Sequence, residues 1–128
     1  MTVRGIPTRV GEPARHPNVT AGVYAGRMTT SLRTFPITRK WPARHPDRLQ
    51  LYSLTTPNGV KVSIMLEETG LPYEAHRVSF DTREQFSAEF LSLSPNNKIP
   101  AILDPHGPGG KPLALFESGA ILLYLADK

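Results

Sequence analysis

The sequence predicts an α/β domain over residues 49–128, a mixed sheet with helices on both faces. Three observations carry that expectation. A strand–helix–strand unit runs from Leu49 to Phe80, a Gly/Pro-punctuated hairpin from Ala101 to Phe116, and an apolar helix from Ser118 to Lys128. A helix between two strands implies a right-handed parallel crossover, whereas a tight hairpin implies antiparallel strands, so the sheet must be mixed.

Each element follows from its local pattern. Leu49-Gln-Leu-Tyr-Ser-Leu54 alternates as a short strand, and Thr55-Thr-Pro-Asn58 is turn and cap chemistry with Asn58 as the expected N-cap. Val60 to Thr69 reads as a helix: Val62, Met65, Leu66 and Thr69 form one stripe, Val60 and Ile64 widen it, and Lys61, Glu67 and Glu68 stay polar. Gly70 stops it. Tyr73 to Phe80 is the second strand. The stretch from Asp81 begins polar and irregular, then places Phe86, Phe90, Leu91 and Leu93 at roughly helical spacing, which predicts a short helix over 84–93 that ends at Asn96-Asn97. Ala101–Asp104 and Leu113–Phe116 are the strands of the hairpin, joined by the Gly/Pro turn from Pro105 to Pro112. The last helix is apolar around its whole circumference from Ala120 to Ala126, which a helix lying on one sheet with its back to water does not need. The order strand–helix–strand–helix–strand–strand–helix is that of a thioredoxin-like domain.

Charge divides the chain in two. Residues 1–48 hold nine Lys/Arg against two acids, a net of +7, and residues 49–128 hold six against nine, a net of −3, which together make the overall +4. With six prolines, four glycines and scattered apolar residues of no period, residues 1–48 read as a largely disordered extension. Thr34 to Pro46 is expected at most to lie across the domain surface, with Phe35, Ile37 and Trp41 as anchors. An Arg-rich, acid-poor leader is also the composition of a mitochondrial presequence, but Pro7, Pro13 and Pro17 break the helix such a leader needs. A nucleic-acid arm fits the charge alone, because Tyr24, Phe35 and Trp41 are not interleaved with the basic residues. Met28 marks an alternative start. The absence of cysteine excludes disulfides, CxxC chemistry and thiolate metal sites, and it fits a cytoplasmic protein. His16, His45, His76 and His106 show no ligand spacing, so no metal site is expected. No apolar run approaches the roughly 18–20 residues that span a bilayer, so no membrane role is expected.

The chemistry is expected at three places. Phe116-Glu-Ser-Gly-Ala-Ile-Leu-Leu-Tyr-Leu125 runs from a strand end through Ser118 into a helix, which makes an anion socket of free backbone N–H groups and a hydroxyl. Taken alone, Ser118 reads first as an ordinary N-cap, a role it can fill at the same time. Thr56-Pro-Asn-Gly59 opens the first helix, and Ser94-Pro-Asn-Asn-Lys-Ile-Pro100 leads into the third strand. In this order and spacing the three motifs resemble the N-terminal domain of a glutathione S-transferase, within that family the Nu class of bacterial disulfide-bond oxidoreductases and the related fungal nitrogen-catabolite regulator. The resemblance covers residues 49–128 and none of residues 1–48.

The resemblance implies a division of the tripeptide glutathione among these residues. Ser118 holds the γ-glutamyl carboxylate and Glu117 its ammonium. The Ile99-Pro100 bond, expected to be cis, presents the backbone of Ile99 as an open strand edge to the cysteinyl unit, although the same residues are compatible with an ordinary turn. Lys98 pairs with the glycyl carboxylate or is a solvated surface lysine, and Gln85 is a further glutathione contact or a plain polar helix residue. Thr56 and Asn58 form the thiol site, where a hydroxyl, a side-chain amide and helix N–H groups stabilise a thiolate without a general base. Tyr52 and Ser53 are expected to be structural.

Two functions remain open on the sequence. One is glutathione-dependent disulfide reduction, or transfer to an electrophilic small molecule, through the thiol of bound glutathione. The other is an inactive fragment or interaction module that binds glutathione weakly. The family places a helical domain against the last helix, so a helical domain in trans, or a homodimer, is the expected cover for its outer face. No nucleic-acid partner is expected.

Overall fold

The computed structural model describes residues 32–128. Strands β1 (Leu49–Ser53), β2 (Tyr73–Arg77), β3 (Ala101–Asp104) and β4 (Leu113–Phe116) form one sheet in the order β2–β1–β3–β4. β1 runs parallel to β2 and antiparallel to β3, and β3 is antiparallel to β4. The helices are α1 (Ile37–Lys40), α2 (Pro57–Thr69), α3 (Ala88–Leu91) and α4 (Ser118–Asp127), with single 3-10 turns at Glu84–Phe86 and Pro108–Gly110. This is the mixed, thioredoxin-like sheet that the sequence predicts.

The central strands β1 and β3 are buried on both faces, so their side chains alternate between two cores. On one face Leu49, Leu51 and Ile102 meet Val62 and Leu66 of α2 and Ile121 and Leu125 of α4. On the other, Tyr52, Ala101 and Leu103 meet Phe90 of α3, Val78 and Leu93. Leu32 and Ile37 belong to this second core and are 2% and 0% exposed.

Order therefore reaches upstream of Leu49. Residues 32–48 form a strap: Ile37 is wholly buried, and Phe35 and Trp41 pack against the same core. The Trp41 ring meets Tyr52 and Phe90 edge-on at 5.9 and 6.3 Å, and its Nε1 donates to the Arg77 carbonyl at 3.1 Å. The Glu74 carboxylate of the edge strand β2 accepts the backbone N–H groups of Arg44 and His45 at 3.0 and 2.7 Å. Gln50 Nε2 donates to the carbonyls of His45 and Arg48, which leaves its Oε1 to accept from His76 Nε2 at 2.8 Å and so sets the tautomer of that ring. Burial holds the His76 ring below the usual histidine pKa against the pull of Glu74. Phe35, Ile37 and Trp41 are the anchors expected from the sequence; the composition of residues 32–48 hides how deep the seat is, because each anchor is satisfied by a separate tertiary contact and none needs a period. The expectations for the presequence, the nucleic-acid arm, the Met28 start and the disorder of 1–31 lie outside the described residues.

Three boundaries differ from expectation. α2 starts at Pro57, and its N-cap is Thr56 rather than Asn58: Thr56 is extended (φ −125°, ψ 163°) and its hydroxyl accepts the Gly59 N–H at 3.2 Å. Pro57, already at a helical φ and needing no N–H partner, takes the first helical position and displaces the cap one residue upstream of the proline. The helix expected over 84–93 is broken at Ser87, which is extended and caps α3 by accepting the Phe90 N–H at 3.2 Å. The second strand ends at Arg77 rather than Phe80, although Val78 N–H still reaches the Ser53 carbonyl at 2.9 Å.

Candidate functional site

The strand register gathers the expected residues at one end of the sheet. Tyr52 pairs with Ala101, Ala101 with Phe116, and Ser53 with Arg77. The chain leaving β1 (Thr56, Asn58), entering β3 (Lys98, Ile99, Pro100), leaving β4 (Glu117, Ser118) and leaving β2 (Gln85) thus emerges on the same side.

Within that end, Thr56, Asn58, Gln85, Lys98 and Ile99 line a single cleft of about 380 Å³, with Phe80 and Asn97 completing its wall. Two other clefts, of about 310 Å³ against β1, β2 and α2 and about 450 Å³ beneath the strap, are lined by none of the eight expected site residues.

The α2 side of the cleft is held close to the sheet. A Cβ added at Gly59 would collide with the Leu54 carbonyl oxygen and lie 2.5 Å from Ser53 Oγ, so only glycine lets the helix start approach the end of β1 this closely. With Thr56 Oγ1 accepting from Gly59, its O–H remains available to donate. The Asn58 side chain, exposed in the first turn, makes no hydrogen bond to another described residue.

The opposite wall is a turn locked from below. Buried Ser94 donates its hydroxyl to the Lys98 carbonyl at 2.8 Å and accepts the Asn97 N–H on its own carbonyl at 3.0 Å, with Asn97 left-handed at φ 53°. The Ile99–Pro100 bond is cis, and Pro100 is buried behind the cleft rather than lining it. Neither the N–H nor the carbonyl of Ile99 has a hydrogen-bond partner among the described residues. Gln85 adds a third unpaired group, since its Oε1 is buried without a partner.

Glu117 and Ser118 do not line this cleft; they stand at the start of α4. Ser118 is the first helical residue and not the cap. Glu117 occupies the cap position at φ 74°, ψ 116°, with no side-chain capping bond, and its carbonyl accepts the Ile121 N–H at 2.9 Å. The backbone N–H groups of Ser118, Gly119 and Ala120 have no partner among the described residues. Among the described residues, Ser118 Oγ accepts only from Lys61 Nζ of α2, at 3.4 Å. Sequence reasoning missed Lys61, Phe80 and Asn97 as site residues: Lys61 reads as the polar face of α2, Phe80 as the end of the second strand, and Asn97, although inside the Ser94–Pro100 motif, as the end of a helix.

Tyr52 and Ser53 take no part. Tyr52 is wholly buried and stacked on the His76 ring at 4.8 Å, and burial together with the Glu74 charge pushes its phenol well above the usual tyrosine range. Ser53 Oγ turns back to the Leu54 carbonyl at 3.4 Å. Among the described residues no group of three or more His, Cys, Asp or Glu could hold a metal ion, and no helix is long and apolar enough to cross a membrane.

Comparison with known proteins places this geometry. The chain is 57% identical over 82 residues to the disulfide-bond oxidoreductase YfcG of Escherichia coli, covering 62% of this chain and 38% of that protein. A crystal structure of a glutathione transferase from Pseudomonas putida with one glutathione disulfide bound per subunit is 78% identical, with a TM-score of 0.75, over 76% of this chain and 42% of that one. One from Burkholderia graminis with two glutathione molecules per subunit is 77% identical, with a TM-score of 0.76, over 78% of this chain and 41% of that one. The chain thus spans less than half the length of these relatives. Residues 47–127 match the family described as the glutathione S-transferase, N-terminal domain; with most of its length inside that match, the chain belongs to the glutathione S-transferase family.

Proposed function

We propose that the cleft binds glutathione and that the chain supplies the thiol-activating half of a glutathione-dependent disulfide oxidoreductase. The observation that carries this reading is the convergence of Thr56, Asn58, Gln85, Lys98 and Ile99 on one cleft in which the Ile99 backbone groups are unpartnered. An extended cysteinyl unit takes the Ile99 N–H and carbonyl as a strand edge would. Its sulfur then lies toward Thr56 and Asn58, where the hydroxyl, the amide and the start of α2 favour the thiolate. Lys98 faces the glycyl carboxylate. The γ-glutamyl carboxylate meets the open N–H groups at Ser118, with Lys61 beside them, and Glu117 meets the ammonium.

The chain has no cysteine, so both reacting thiols come from glutathione. The bound thiolate attacks one sulfur of a disulfide substrate, forming a mixed disulfide and expelling the other half as a thiolate that takes up a proton. A second glutathione thiolate attacks the glutathione sulfur of that mixed disulfide, releasing the remaining half as a thiol and leaving glutathione disulfide. The ligands named for the Pseudomonas and Burkholderia proteins are the product and the reactant of this sequence. An electrophilic small molecule attacked by the same thiolate is the transferase version of the first step. A cytoplasmic location belongs to the same proposal, because glutathione is kept largely reduced there.

Calorimetric titration of glutathione into the purified chain, with the thiol pKa of the bound ligand read from thiolate absorbance, tests the reading. Binding with a lowered thiol pKa is expected, and Asn58→Ala should raise that pKa more than it weakens binding. Absence of binding overturns the proposal, and equal effects of Asn58→Ala on binding and pKa overturn the role given to Asn58.

A further inference from the structure

The strap touches the loop that carries two residues of the cleft wall. Its last helical residue, Lys40, lies with Nζ 3.5 Å from Glu84 Oε1 and 5.3 Å from the centre of the Trp41 ring, so its head group is located from two sides. Glu84 uses its other oxygen, Oε2, to accept the Ser79 N–H at 2.7 Å, while the Glu84 N–H donates to the Ser79 carbonyl at 2.9 Å. One carboxylate thereby closes the loop from Ser79 to Glu84 into a ring. Phe80, inside that ring next to Ser79, and Gln85, the residue after Glu84, are two that wall the cleft. The buried Oε1 of Gln85 also has no partner among the described residues.

We propose that the strap is a positioning element for the ligand cleft, with Lys40 acting through Glu84 to aim Gln85. This rests on the reading of the cleft as the glutathione site. An exposed ion pair by itself is worth little. Here, however, the carboxylate is already immobilised by a backbone N–H within a closed loop, so the ammonium acts on a group with little freedom left. The strap itself is anchored independently by buried Ile37, by Trp41 on Phe90 and by the Arg44 and His45 amides on Glu74. Loss of the Lys40 charge removes one of the two contacts that hold the Glu84 carboxylate, and Gln85, the next residue, is held less firmly while the core stays intact.

Two measurements on the full chain test this with Lys40→Gln, the conservative Lys40→Arg, Gln85→Ala and the double variant Lys40→Gln/Gln85→Ala. The first is ligand-free: Lys40→Gln should shift the NMR resonances of the Ser79 backbone amide and the Gln85 side-chain amide at an unchanged urea midpoint, and Lys40→Arg should restore them. The second is glutathione affinity by calorimetry: Lys40→Gln should weaken it about two- to fivefold, and the effect should vanish in the Gln85→Ala background. Unmoved resonances overturn the proposal, as does an undiminished loss of affinity in the double variant. If the resonances move but the unmutated chain does not bind glutathione, the glutathione reading falls and the positioning of the cleft wall by the strap stands.

Discussion

The two ends of α4 are built in opposite ways. At its C-terminal end the buried Asp104 carboxylate of β3 takes the Tyr124 hydroxyl at 2.6 Å, the Lys128 ammonium at 2.8 Å and the His106 N–H at 2.8 Å, and Lys128 also donates to the His106 carbonyl at 2.9 Å. At its N-terminal end three backbone N–H groups have no partner among the described residues, and the cap position is held by a glutamate with positive φ. The same apolar residues, Ile121 and Leu125, seat both ends. One end spends its polar groups inside the fold and so carries stability. The other leaves them open at some cost in stability, and so is available to a ligand.

Substitutions at the two ends should therefore separate folding from binding. The largest effect is expected at the closed end. Asp104→Ala leaves the Tyr124 hydroxyl and the His106 N–H without their acceptor and the Lys128 ammonium without its carboxylate, and should lower unfolding free energy by about 2–3 kcal/mol, read from urea unfolding. Glutathione affinity of the remaining folded protein should not change; a matching loss of affinity would dissolve the contrast. The same end sets an acid limit. Burial pushes the Asp104 carboxyl up, but the Lys128 and Tyr124 hydrogen bonds, the His106 amide and the Lys128 charge outweigh it, so its pKa lies below the ordinary aspartate value. Because the folded-state pKa is the depressed one, this stabilisation is complete above the ordinary aspartate value and is lost as pH falls through the lower folded value. Asp104→Asn should flatten that limb in a series of urea midpoints against pH, and an unaltered slope would assign the limb to other carboxylates.

A smaller effect is expected at the open end. Ser118→Ala should weaken glutathione binding by roughly 1–2 kcal/mol with little change in the urea midpoint, since Ser118 is not the cap. A loss of stability in place of affinity would return the hydroxyl to a structural role. The smallest effect sharpens the comparison from the other side. Glu117→Gly relieves a side chain held at φ 74° and should raise stability by up to about 1 kcal/mol while binding weakens. A variant that gained stability and kept its affinity would show that the strained glutamate serves neither end.

The site motifs were legible because each is local chemistry. Thr56-Pro-Asn-Gly59 needs a cap, a proline and a glycine within one turn, and the expected cis Ile99–Pro100 bond is present in the fold. The cap itself moved from Asn58 to Thr56, since both are good caps and only the proline between them decides. Helical spacing alone could not reveal that Ser87 interrupts 84–93, as a serine is tolerated within a helix until its hydroxyl finds a backbone N–H to cap. Leu32 was invisible as a core residue in a segment rich in proline and arginine, and Ile37, expected as an anchor on the domain surface, is wholly buried. The Asp104 lock was equally hidden, because it joins positions from two elements and a loop that no single period connects.

Element order, the mixed sheet and the motifs at the strand ends follow from the sequence by itself, because propensity, turn chemistry and alternation act over a few neighbouring residues. Tertiary structure alone decided that the strap is part of the core, that one end of α4 is closed and the other open, and that Lys40 reaches the cleft wall through Glu84. Those outcomes depend on which groups remain unsatisfied once the chain has packed, and burial and pairing across distant segments are settled only when the whole fold is in place.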